Sequence, residues 1–63
     1  MEMPNVDNVI LDRERNIHYH VLAYRRLTPS EMSAAVRVCL AQKKGRLKKN
    51  STVTIVSLIG HDE

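Results

Sequence analysis

The sequence predicts an α+β domain with one helix packed on one face of a three-stranded mixed sheet, in the order β-β-α-β. Three observations carry this. Ile17 to Arg26 alternates with the two-residue period of a strand. Leu27-Thr28-Pro29-Ser30-Glu31-Met32 gathers four helix-start signals in one place. Ser51 to Gly60 is rich in Thr, Val and Ile, which suit a pleated, half-buried surface.

Residues 1–6 read as a loose leading tail. Val9-Ile10-Leu11 is a short apolar run flanked by Asp7, Asn8 and Asp12, and it predicts a short first strand. Asp12-Arg13-Glu14-Arg15-Asn16 is polar and has the length of a hairpin loop. In the second strand Ile17, Tyr19, Val21 and Ala23 point one way, while His18, His20, Leu22 and Tyr24 point the other. The helix start follows. Thr28 is the N-cap, Pro29 sits where its missing N–H costs nothing, and Glu31 completes a T-x-x-E capping box. Leu27 and Met32 have the spacing of a hydrophobic staple.

The helix is expected from Pro29 to Lys44, with Met32, Ala35, Val36, Cys39 and Leu40 as its apolar stripe and Gly45 just past its end. Counting Val38, the apolar residues span roughly 200°, about twice what a surface helix needs. Arg46 to Asn50 is a basic connection, and His61-Asp62-Glu63 is a trailing tail. The last two strands should run parallel through a right-handed crossover. Strand order is not encoded in the pattern.

Size limits what this fold can do alone. The chain of 63 residues makes one domain, with Tyr19 and Tyr24 as its only aromatics. A domain of this size buries only about 60% of its unfolded surface. Cys39 is the lone cysteine, so no intrachain disulfide can form. The remaining remedy for a small core is association. One helix covers one side of the sheet. Val53, Ile55 and Ile59 share one face of the last strand, and Val56 and Leu58 share the other. The uncovered face therefore keeps apolar groups. The expected partner is a second copy or another protein, docked around Leu22, Tyr24, Val56 and Leu58 beside His18 and His20.

Charge supplies the alternative. The net charge is +3. The topology gathers Arg13, Arg15, Lys43, Lys44, Arg46, Lys48 and Lys49 at one pole, where they could attract a polyanion such as nucleic acid. The plainer account is a solvated loop, since no aromatic is interleaved for base stacking.

Other chemistries have little footing. His18 and His20 share a strand face, but His61 is on the order of 20 Å away, and zinc needs ligands at about 2 Å. Cys39 lies in the helix stripe as a packing residue. The chain has no glycine-rich phosphate loop and no paired carboxylates. No catalytic, cofactor-binding or metal-binding set is assigned. The first residues lack a basic and an apolar signal region, no stretch is long enough to span a bilayer, and a cytoplasmic protein is expected. Ile17 to Gly60 resembles in layout the short β-α-β subunits of the tautomerase family, which act as oligomers. That family uses an N-terminal proline as catalytic base. Pro4 is not terminal here, so the resemblance implies shape and not activity.

Overall fold

The computed structural model describes residues 2–43 and 47–62. Strand β1 runs Val6–Asp12, β2 Ile17–Ala23, helix α1 Pro29–Gln42 and β3 Thr52–Val56. The sheet order is β1-β2-β3, with β1 antiparallel and β3 parallel to β2. Strand β2 is central because it pairs with both neighbours, and its alternation sets one row of side chains toward the helix. Ile17, Tyr19, Val21 and Ala23 are all buried under α1, and Met32 and Val53 join them in the core. Ile10, Val36, Cys39, Leu47 and Ile55 pack around the Ile17, Tyr19 and Val53 cluster.

The helix start is built as its residues require. The Thr28 side chain accepts from the Glu31 N–H at 3.2 Å, and the Glu31 carboxylate accepts from the Thr28 N–H at 2.9 Å. Arg25 then grips the same carboxylate in a fork, at 2.9 and 2.7 Å. These donors, Arg25 first and the Thr28 backbone next, pull the Glu31 carboxyl down from 4.5 to about 2.

Element limits differ from the sequence expectations in four places. Strand β1 begins at Val6, inside the expected tail, because its whole length pairs with β2, from Val6 opposite Ala23 to Asp12 opposite Ile17. Strand β2 stops at Ala23, where Asn8 and the turn toward α1 take over the backbone bonding. Helix α1 ends at Gln42 rather than Lys44, and Lys43 is an extended C-cap. Beyond Leu40 the helix has no large apolar residue left to bury, and Leu47 packs on the core. Strand β3 is shorter than Ser51 to Gly60. After Val56 the chain bends across the end of β2, where the Tyr24 N–H donates to Ile59 and Gly60 adopts φ +87°. Met1, Gly45 and Glu63 lie outside the described residues.

Asn8 holds the layers together. It is buried on the helix side of β1. Its Oδ1 accepts from the Leu27 N–H at 2.8 Å. Its Nδ2 lies 3.2 Å from each of the Val6, Val21 and Arg25 carbonyls. One amide thus ties β1 and β2 to the connection that delivers α1. No helix among the described residues is long and apolar enough to cross a membrane.

Candidate functional site

Pairing fixes which side chains share the uncovered face. Leu11, His18 and Thr52 form one row across the sheet, Val9, His20 and Thr54 the next, and Asp7, Leu22 and Val56 the third. His18, His20, Leu22 and Val56 therefore do meet on this face. Asp7 and His20 are bonded, with Nδ1 3.0 Å from Oδ1. Val9 and Leu11, exposed beside the histidines, complete the face. They were absent from the expected surface because the register of β1 is not written in its residues.

Tyr24 has contacts of its own. It lies past the end of β2 and is half-buried. Its hydroxyl donates to the Glu2 carbonyl at 3.2 Å, and its ring meets His61 edge-on at 4.8 Å. Leu58 lies past the end of β3, and 74% of it is exposed.

The apolar surface is concentrated at the free side of β3. Val56 is 67% exposed and Val38 57%. With Leu58 they border a groove of about 680 Å³ between α1 and β3, whose floor includes Ala34, Ala35, Cys39 and Ile55. The wide apolar arc of the helix is the cause. Met32 is buried and Ala35, Val36 and Cys39 are half-buried, which leaves Val38 on one flank and Leu40 on the other. Leu40 borders a smaller groove of about 330 Å³ toward β1, with Ile10 and Tyr19.

The backbone of β3 is also open there. The His18 N–H donates to the Ser51 carbonyl at 3.0 Å, and the Ser57 N–H donates to the Leu22 carbonyl at 2.8 Å. Alternate residues of a parallel strand bond to the same neighbour. Ser51, Val53, Ile55 and Ser57 thus address β2, while Thr52, Thr54 and Val56 turn their N–H and C=O groups outward. No further strand lies beyond them among the described residues.

Folded proteins usually guard such an edge with charge, proline or a bulge. The opposite edge strand, β1, carries Asp7 and Asp12. Asn50 to Gly60 has no charged residue and no proline. The sequence could have shown this as a long uncharged run, had the strand order been known.

The basic residues divide between two environments. The hairpin loop meets the loop before β3: the Asn50 N–H donates to the Arg15 carbonyl at 2.9 Å, and Asn16 Nδ2 donates to Asn50 Oδ1 at 2.9 Å. Both asparagines adopt the left-handed conformation, with φ of 53° and 61°, which asparagine tolerates better than most residues. Arg13, Arg15, Lys48 and Lys49 consequently belong to one loop cluster, with Arg15 Nε 3.9 Å from Asp12. Lys43 caps the helix. Lys44 and Arg46 lie outside the described residues.

Among the described residues no three His, Cys, Asp or Glu side chains come together as metal ligands would. Cys39 is a free thiol packed against the core. Comparison of the chain with protein-family models, curated proteins and solved structures finds no match.

Proposed function

We propose that the chain is an interaction module that takes up an extended protein segment along β3. One observation carries this reading: an unguarded strand edge and three of the four most exposed large apolar side chains among the described residues, Val38, Val56 and Leu58, lie on the same side. Strand addition joins these two features. The outward N–H and C=O groups of Thr52, Thr54 and Val56 supply main-chain bonds, and the flanking groove supplies apolar contact. Leu22, His18 and His20 continue the surface across the open face.

Amide hydrogen exchange tests the reading. The Thr52, Thr54 and Val56 amides should exchange quickly in dilute protein. They should slow on self-association or on addition of extended heptapeptides selected from a random display library on the immobilised chain. Fast exchange at all three amides at every protein concentration, with no peptide selected, would sink the reading.

A second reading rests on the meeting of the hairpin loop with the loop before β3. Their Arg13, Arg15, Lys48 and Lys49 would engage the phosphates of a nucleic acid. Binding to oligonucleotides should then fall with salt at a log–log slope of roughly −0.7 to −0.9 per phosphate contacted. Lys48→Ala with Lys49→Ala should flatten that slope, and absence of binding at low salt removes this reading.

A further inference from the structure

The occupant of β3 can be named from the geometry. We infer that it is a second copy of this chain, paired strand to strand about a twofold axis at Thr54. This rests on β3 being the docking edge and adds the identity of what docks.

Strand polarity gives the first argument. In a twofold antiparallel pair, Thr54 faces Thr54 of the second copy and Thr52 faces its Val56. All three residues have outward backbone groups, so each opposed pair exchanges two N–H···O bonds. The side chains at the axis are threonines, which pair well across strands. Nothing charged in Thr52–Val56 opposes itself across the axis.

Helix placement gives the second argument, and it is quantitative. Helix α1 packs equally on β2 and β3, so it lies over the seam between them. Strands are spaced about 4.8 Å apart. The helix axis then projects half a spacing inside β3, while the twofold axis lies half a spacing outside it. The two helix axes come to lie roughly 10 Å apart, at the upper end of the 8–10 Å of packed helices. The flank that would face the axis carries Ala34 and Val38, small enough for that distance and exposed in the single chain.

Charge gives the third. The twofold sets the two helices antiparallel. The Glu31 end of each then lies beside the Gln42–Lys43 end of the other, joining opposite macrodipole ends. The product is one six-stranded sheet, β1-β2-β3-β3-β2-β1, with both helices on one face. The acid-bearing β1 strands form its outer edges, and the two open faces fuse into one surface.

Sedimentation of the full chain from about 1 to 100 µM tests this. The expected mass is twice 7.2 kDa. Thr54→Pro deletes an N–H that no strand of the same chain uses, so a single folded chain should tolerate it. It should shift the chain to monomer. Val38→Arg sets two like charges at the helix contact and should raise the dissociation constant at least tenfold with unchanged circular dichroism. Val9→Lys, on the open face of β1, should leave the dimer intact.

A monomer at every concentration overturns the inference, as does a dimer that withstands both Thr54→Pro and Val38→Arg. Should Thr54→Pro fail to fold, Val38→Arg decides alone. A monomer whose edge amides are still protected by a selected heptapeptide keeps the module reading and removes the second copy. A monomer that takes no peptide removes both.

Discussion

Asn8 offers the sharpest test of how this fold is held. Replacing it with Ala removes one accepted bond, from Leu27 N–H, and the donors shared among the Val6, Val21 and Arg25 carbonyls. Each net bond contributes about 0.5–1.5 kcal/mol, and an orphaned buried polar group costs about 1–3 kcal/mol. Three lost bonds around a buried site sum to about 3 kcal/mol. A domain of this length is stable by roughly 3–9 kcal/mol, so the loss is a third or more of the whole. It should lower the melting temperature by on the order of 15 °C. Urea unfolding followed by circular dichroism, at fixed protein concentration, measures it. Asn8→Asp separates bonding from packing. The carboxylate still accepts from Leu27, but its other oxygen now faces carbonyls, so at neutral pH this variant should be at least as unstable as Asn8→Ala. An Asn8→Ala chain within about 1 kcal/mol of the parent, or a well-tolerated Asp, would refute the account.

Three further outcomes follow from the joint between sheet and helix. The Glu31 carboxyl titrates at about 2 when folded, below its ordinary 4.5, through the Arg25 fork and the Thr28 N–H. Its contribution is therefore complete above about 4.5 and disappears as pH falls toward 2. Melting temperature measured from neutrality to pH 2 should fall across that window, and Glu31→Gln should flatten the fall. Thr28→Ala should cost about 1 kcal/mol in chemical unfolding, the usual loss for an N-cap. Gly60→Ala should cost about 1–2 kcal/mol, since a side chain at positive φ is strained. Its Cβ would also stand 2.8 Å from Arg25 Cγ, which the bond to Glu31 keeps from moving aside; unfolding curves of the two chains give the difference.

Legibility in the sequence tracks the range over which each feature acts. The capping box joins residues three apart, so Thr28, Pro29 and Glu31 announced it directly. The alternation of Ile17 to Ala23 named the buried face for the same reason. Asn8 was unreadable, because three of its four partners are 13 to 19 residues away and a polar residue beside Asp7 looks like a loop. That misreading also hid the first half of β1. The excess apolar arc of α1 was visible, and Val38 does stand exposed. Its conjunction with Val56 and Leu58 was not, since it depends on β3 being an edge. The apolar character of Val56 and Leu58 is plain in the sequence, whereas the contacts of Tyr24 with Glu2 and His61 come from neighbours that no local pattern reveals.

The parallel pairing of β3 has a kinetic side. Strands β1 and β2 zip across a short loop, but the link at Asn16 and Asn50 joins residues 34 apart. Closing a span of that length costs about 2 kcal/mol more conformational entropy than closing the hairpin. The pairing of Tyr19 with Val53 and of Val21 with Ile55 therefore carries most of the closure cost of the sheet. The rate at which the whole sheet assembles should therefore be set by that long closure rather than by the hairpin.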